Sequence, residues 1–280
     1  MSDKQSEYKQ YLDESWYWYL TGHYKNGLST DYEMIVKRTR RTSRLWPGSP
    51  RCIDCNLPMS GLGAWLTRTR PASYSPRLCN KCESDLRKEA AGTELELSML
   101  FADVRGSTSL AQATTTSEFK VLIQRFYQTV SDLLIEHNAM VNRLMGDQVI
   151  GLFVPRFAGP GHAGVAVATA LDILRATGHE DEKGPWIPVG IGVHTGVAYV
   201  GAVGTGSGVN EMAVLGSAPN LAARLSSQAA EGEVIVSEAA AAAAGLASES
   251  MESRRLDLKG IDQPVDVRVL QARKKRDQSN

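Results

Sequence analysis

Four cysteines fall into two pairs, Cys52-Ile53-Asp54-Cys55 and Cys79-Asn80-Lys81-Cys82, separated by 23 residues. Two residues between cysteines let both thiolates of a pair turn toward one ion from a tight knuckle. Two knuckles complete a tetrahedral four-sulfur shell. The same spacing serves redox dithiols. No β-α-β pattern surrounds these pairs, and two pairs together favour a structural zinc site with no open coordination position. A second kind of chemistry is open to two carboxylates. Asp103 closes the apolar run Leu97–Val104, and Asp147 lies in the turn Met145-Gly146-Asp147 between two short strand candidates. If those strands are neighbours in one sheet, the two carboxylates meet, and such a pair suits a hard divalent cation. Taken alone, ordinary turn and cap aspartates account for the pair at least as well.

The elements that must position these groups follow from periodicity and punctuation. Ala139–Leu144 and Gln148–Phe153 read as a hairpin around Asp147. Ser117–Glu136 carries apolar residues at helical spacing, among them Ile123, Phe126, Val130 and Leu134. His162–Thr177 is a second helix. Val189–His194 and Val197–Val203 read as a further hairpin pivoting on Thr195-Gly196. Ser217–Ala229 is a helix with Ser217 as N-cap and Pro219 in its first turn. Glu233–Ser237 and Val265–Leu270 are strands, and the alanine run Glu238–Ala244 is a helix former. This β-α-β-β-α-β order predicts a ferredoxin-like α+β sandwich with an extra hairpin. Around the cysteines, Gly61, Gly63 and Pro71 point to loops and short hairpins, and Asp85–Lys88 to a helix. Ahead of them stand Trp16-Tyr17-Trp18-Tyr19 with Tyr24, then the basic residues Lys37, Arg38, Arg40, Arg41 and Arg44. These form either a contact for a partner, a membrane surface or nucleic acid, or a helix that buries its aromatics and solvates its arginines. The second reading is preferred, because composition alone gives no more.

The chain has 280 residues, 42% hydrophobic and 22% charged, with 31 Lys+Arg against 31 Asp+Glu. That is ordinary globular composition. It excludes a globally basic nucleic-acid coat, so nucleic acid is not an expected partner. No apolar run reaches the roughly 18 residues needed to cross a bilayer. The first eleven residues are polar and charged, unlike a signal peptide. A cytoplasmic protein without an integral membrane segment is expected. The zero net charge hides an asymmetry. Residues 1–90 hold 15 Lys/Arg and 10 Asp/Glu, and the remainder holds 16 and 21. The shift near Ala91-Gly92-Thr93 sets the expected organisation: an aromatic/basic helical segment (1–45), a four-cysteine zinc-ribbon-like module (46–92), an α+β domain (93–272) and a polar tail (273–280).

Five ordered motifs between residues 95 and 270 resemble the class III nucleotidyl cyclases, the adenylyl/guanylyl cyclase catalytic domain. Phe101-Ala102-Asp103-Val104-Arg105-Gly106-Ser107-Thr108 is similar to their metal-binding strand, and Gly146-Asp147 to their second metal motif. Gly190–Gly204 is similar to their central hairpin, and Leu215–Leu225 to the helix that serves the transition state. Leu258-Lys259-Gly260 with Pro264-Val265 is similar to their closing segment. The resemblance implies attack of a ribose 3′-hydroxyl on the α-phosphate with loss of pyrophosphate. It implies two Mn2+ or Mg2+ ions per active site, held by Asp103, Asp147 and the Val104 carbonyl. By the same resemblance Asn220 orients the ribose, Arg224 stabilises charge on the phosphorane, and Lys259 holds the terminal phosphates. In the family, the carboxylates come from one subunit and the Asn/Arg pair from the other. One chain carries both sets, so a homodimer with two sites is expected.

The departures concern the base. Where adenylyl cyclases usually carry Lys, four residues before the Asp of Gly-Asp, this chain has Arg143. Where they carry Asp or Thr, seven before the Asn, it has Ala213. The Glu and Cys of guanylyl cyclases are absent from these positions too. The aromatic that usually follows the first motif's glycine is Ser107, and an arginine usual before the Asn helix is missing from Thr205–Val209. A guanidinium offers a fork of donors and no acceptor. It suits uracil or cytosine carbonyl edges better than adenine, whose N6 is a donor. This resembles the bacterial pyrimidine cyclases of anti-phage defence. UTP is the expected substrate, CTP next, with a separate effector responding to the cyclic nucleotide. An adenylyl cyclase, a degenerate nucleotide- or partner-binding cyclase domain and a nucleic-acid-binding zinc protein are the alternatives.

Overall fold

The computed structural model describes residues 3–23, 38, 40–72, 75–88, 91–204, 210–246, 251–261 and 263–272. Tyr24, Lys37, the Thr205–Val209 segment and the 273–280 tail lie outside them. The elements run α1 (Asp3–Thr21), α2 (Gly61–Thr67), α3 (Asn80–Lys88), β1 (Gly92–Val104), α4 (Ser107–Ala113) and α5 (Thr116–Glu136). Then come β2 (Met140–Met145), β3 (Gln148–Phe153), α6 (Pro155–Ala158), α7 (His162–Ala176), β4 (Val189–Gly204) and β5 (Asn210–Leu215). The chain ends with α8 (Ser217–Gln228), β6 (Glu233–Ser237), α9 (Glu238–Ala243), β7 (Glu252–Leu256) and β8 (Val265–Gln271). The chain divides into two compact units. One is Met1–Leu95 with Pro155–Phe157 and Ala198–Leu215. The other is Glu96–Val154 with Ala158–Val197 and Gly216–Asn280.

The second unit is built on a mixed sheet in the order β2-β3-β1-β4-β6-β8-β7. β4 and β6 pair parallel, whereas β1–β3, β2–β3, β6–β8 and β7–β8 are antiparallel. The β-α-β-β-α-β order read from the sequence is present as β1, α5, β2, β3, α7, β4. A capping box at Thr115 and Glu118 opens α5, satisfying orphan amides at its start. Its buried stripe Ile123, Phe126, Val130 and Leu134 joins α7 on one sheet face, in a core with Leu100, Val149 and Val193. β6 alternates sides, as strand geometry demands. Val234 and Val236 enter that core, and Ile235 enters a second cluster with Leu225 of α8, Leu258 and Val267. α8 therefore lies on the opposite face from α5 and α7. Glycines on β4 permit its approach: a Cβ at Gly190 would stand 2.7 Å from the Ala229 carbonyl, and one at Gly192 would fall on the Ser226 backbone nitrogen.

The hairpin expected at the centre of the sheet is overturned. Thr195-Gly196 is not a hairpin pivot, because β4 runs unbroken through it from Val189 to Gly204. Thr195 is buried with its hydroxyl 2.6 Å from that of Ser98. Gly196 has no room for a side chain, since a Cβ there would meet His194 Nε2 at 2.7 Å. Close approach, not reversal of the chain, explains the glycine. The hairpin that exists joins β4 to β5, with Gly204 opposite Asn210.

In the first unit, α1 buries Trp16, Trp18, Tyr19 and Leu20, the inward-packing reading of the aromatic run. Arg156 stacks 3.8 Å over the Trp18 ring and donates to the carbonyls of Trp18 (3.0 Å) and Ile53 (3.2 Å). The Gly61–Gly63 segment, read from sequence as loop, is the short helix α2. Gly63 is there because a Cβ would strike the Pro47 carbonyl.

Candidate active site

The antiparallel register of β1 and β3 sets Asp103 opposite Gln148, one residue beyond Asp147. The Val104 N–H donates to the Asp147 carbonyl at 3.0 Å. Strand pairing thus brings the two carboxylates to one place. Gly146, at φ +62°, makes the turn, and Tyr127 of α5 pins it by donating from its hydroxyl to the Gly146 carbonyl at 2.6 Å. The Ser107 hydroxyl donates to Asp147 Oδ2, which the usual aromatic at this position could not do. Arg105 lies 2.7 Å from Asp103 Oδ1. Gln148 Nε2 bridges Asp103 Oδ2 (3.5 Å) and Ser226 Oγ on α8 (3.4 Å). Burial raises the pKa of Asp103 above the ordinary carboxylate value, and the nearby Asp147 charge adds to the rise against the pull of Arg105. A cation between the two would relieve both effects.

Asn220 and Arg224 stand one turn apart on α8 and share a face. With His194, Ser217, Lys259 and Ile261 they line a cavity of about 770 Å³. Asp103 and Asp147 are not among its lining residues. Within one chain the polar set is therefore divided between a carboxylate edge and a cationic cavity. Of the expected base-reading residues, Arg143 sits in β2 opposite Ile150, just past a register shift after Val141. Ala213 sits in β5 opposite Gly201, in the first unit.

Arg105, Ser107, Tyr127, Gln148 and His194 went unassigned in the sequence reading. Gln148 carried a usable signal, because the residue after the turn of an antiparallel pair faces the strand end that holds Asp103. Tyr127 carried none, since its role depends on where α5 crosses the sheet.

The four cysteine sulfurs lie within 4.8 Å of one another. Cys52 and Cys82 are 3.8 Å apart, Cys55 and Cys79 3.7 Å, and the Cys79 N–H donates to Cys52 Sγ at 3.3 Å. Isolated bridges Arg51–Pro58 and Pro71–Cys79 brace the two knuckles. Neighbouring S–H donors, Cys55 foremost, bring the Cys52 pKa down to about 7. Hydrogen bonding within the crowded set pushes the Cys55 and Cys82 thiols up and the Cys79 thiol down.

The model of the adenylate and guanylate cyclase catalytic domain family matches residues 90–269. The chain belongs to this family. The cyclase domain is similar to an uncharacterized Mycobacterium tuberculosis protein, 32% identical over 141 residues, which is 50% of this chain and 24% of the relative. It is also similar to a Mycobacterium bovis protein named adenylate cyclase, 29% identical over 177 residues, 62% of this chain and 38% of the relative. The chain thus spans well under half the length of these curated relatives. Among solved structures, the guanylyl cyclase Cya2 aligns with a TM-score of 0.58 at 23% identity, over 66% of this chain and 97% of that one. The adenylyl cyclase CyaB from P. aeruginosa aligns with a TM-score of 0.55 at 21% identity, over 66% and 98%. Cyclase domains of this class bind nucleoside triphosphates, use two divalent metals and usually dimerise. Among the described residues no helix is long and apolar enough to cross a membrane.

Proposed function

We propose that this chain is a nucleotidyl cyclase that converts a nucleoside triphosphate, UTP before CTP, to its 3′,5′-cyclic monophosphate and pyrophosphate. The division of the polar set carries this reading: the Asp103–Asp147 pair and the Asn220–Arg224–Lys259 cavity hold complementary halves of one chemistry. A twofold dimer would complete the set twice. In the reaction the ribose 3′-oxygen bonds to the α-phosphorus, the bridging oxygen to the β-phosphate leaves with pyrophosphate, and the hydroxyl proton passes to water. The donor set fits two hard cations, with Asp103, Asp147 and the Val104 carbonyl as ligands. Bound Mn2+ or Mg2+ would supply a more acidic 3′-hydroxyl and a screened leaving group. Ser107 and Gln148 hold the two carboxylates in place. Arg224 stabilises charge building on the α-phosphate, Asn220 orients the ribose, and Lys259 holds the terminal phosphates.

The base preference rests on Arg143 and Ala213. An arginine offers donors only, and an alanine offers neither donor nor acceptor to an adenine N6. The role as a second-messenger synthase in anti-phage defence, acting through a separate effector, rests on resemblance at these two positions. A second reading, an adenylyl cyclase, is favoured by the Mycobacterium bovis relative of that name. The four-cysteine cluster is assigned to one structural Zn2+ in a module of residues 46–92, ahead of the cyclase domain at 93–272.

The experiment is incubation of the protein with ATP, GTP, CTP and UTP separately, with Mn2+, and mass spectrometry of the products. Cyclic UMP as the major product is expected. Dominant cyclic AMP moves the assignment to the second reading, and no product from any nucleotide overturns the enzyme.

A further inference from the structure

His194 lines the cationic cavity, is 8% exposed, and has no part in the reading above. Its Nδ1 is 2.8 Å from Ser237 Oγ. That oxygen is also the N-cap of α9 and accepts the Ala240 N–H at 3.2 Å. With one lone pair of Ser237 engaged by the helix, its hydroxyl hydrogen is free to turn to the imidazole. In that arrangement Nδ1 accepts and Nε2 carries the proton, since a neutral imidazole has one of each.

Nε2 points away from α9, to the gap between Gly196 and α8. A Cβ at Gly196 would stand 2.7 Å from Nε2 and 3.2 Å from Ala218 Cβ. Among the described residues, Nε2 has no hydrogen-bond partner. The His194 side chain is more than nine-tenths buried, and its Nε2 opens on a cavity it shares with Arg224 and Lys259. Burial drops the His194 pKa to about 4, so the group is a neutral donor at neutral pH. The first turn of the twelve-residue α8 opens there too, with Ser217 on the lining and no side chain capping its amides. Helix N-terminal amides, two cations and an imidazole N–H are all donors, which selects an anion with several oxygens.

We propose that His194 is a phosphate-contacting residue, its Nε2–H donating to an oxygen of the substrate's polyphosphate and of the pyrophosphate product. The inference rests on the cyclase reading and adds a contact to that site. Gly196 is glycine so that this imidazole can occupy its place.

Two substitutions split the imidazole's two nitrogens. His194→Asn keeps an acceptor for Ser237 near Nδ1 and removes the donor that reaches the cavity. His194→Gln reaches the cavity with an amide and gives up Ser237. In the full chain with Mg2+, His194→Asn should weaken pyrophosphate binding by about 10- to 100-fold, the range for a hydrogen bond to a charged group. The KM for the preferred nucleotide should rise in parallel, with little change in Tm. His194→Gln should bind pyrophosphate nearly as wild type and melt lower. A merely structural histidine predicts the reverse order, and that order overturns the proposal. In wild-type protein, nitrogen NMR of isotope-labelled histidine should show the Nε2–H tautomer and a shift of Nε2 on adding pyrophosphate. An Nδ1–H tautomer or an unmoved Nε2 signal overturns it without any variant. Wild-type protein that neither binds pyrophosphate nor cyclises any nucleotide removes the cyclase reading. Turnover with an unmoved Nε2 removes this inference alone.

Discussion

The four-cysteine cluster and the cyclase set gather polar groups in opposite ways. The cluster is whole within one chain: four sulfurs converge within 4.8 Å from two knuckles 23 residues apart. The cyclase set is parted. Its carboxylates meet at the end of β1, while Asn220, Arg224 and Lys259 face a separate cavity. A closed shell suits a metal that holds a fold together. On the cyclase reading proposed above, a parted set would need a second copy to complete it, so assembly and chemistry would become one event.

The largest effect should come from breaking the closed site. Cys55→Ser removes one of four ligands, and structural zinc contributes on the order of 10 kcal/mol to the folding of small modules. Metal analysis should fall from one zinc per chain to none, and the variant should lose the cooperative melting transition of the four-cysteine region while the cyclase unit keeps its own. Unchanged zinc content, or an unchanged melt, would deny the cluster a structural role.

The parted site is tested by recombining its halves. Asp103→Ala and Arg224→Ala should each lower cyclic nucleotide formation by about 10²- to 10³-fold, with Tm little changed. An equimolar mixture, after exchange of subunits, should recover roughly a quarter of wild-type activity. Half the dimers are then mixed, and each mixed dimer holds one intact site of two. No recovery on mixing, with exchange shown by mass, would mean that each chain builds its site alone.

Much of this was legible in the sequence because short-range rules carried it. Cysteine spacing, the strand end at Asp103 and the turn at Gly146 each declare themselves within a few residues. The failures share one cause. Gly196 reads as a turn and Gly61–Gly63 as a loop, yet Gly196 and Gly63 are glycines that make room for a neighbour, the His194 ring with Ala218 of α8 in one case and Pro47 in the other. Composition does not distinguish a glycine that bends the chain from one that admits another group. Arg105, Ser107 and His194 escaped for the same reason, since their partners Asp103, Asp147 and Ser237 are fixed by register and helix placement.

Gly192 sharpens the contrast between the regions. Its missing side chain lets Ser226 of α8 sit against β4, so Gly192→Ala must push the helix outward. Overpacking of this kind costs about 1–3 kcal/mol. The helix also carries Asn220 and Arg224, so turnover should drop beyond what the lower Tm explains, while zinc content stays at wild type. Loss of zinc in this variant would show that the two regions fold as one.

The smallest effect tests the cyclase unit by charge alone. Glu233 is buried, and Arg254 donates to its two oxygens at 2.7 and 3.0 Å. These bonds, more than any other cause, lower the Glu233 pKa below its ordinary 4.5. A carboxyl held lower in the folded chain stabilises it above the unfolded pKa, and that stability fades as pH falls through the folded value. Arg254 is itself one-third exposed, which screens the pair. Arg254→Ala should therefore cost only about 1 kcal/mol at neutral pH. Denaturant titration should show the wild-type advantage shrinking as pH falls below the ordinary 4.5 and through the lower folded value, as Glu233 protonates in both proteins. An advantage that persists undiminished in acid would trace the effect to packing of the arginine stem along β7 rather than to its charge.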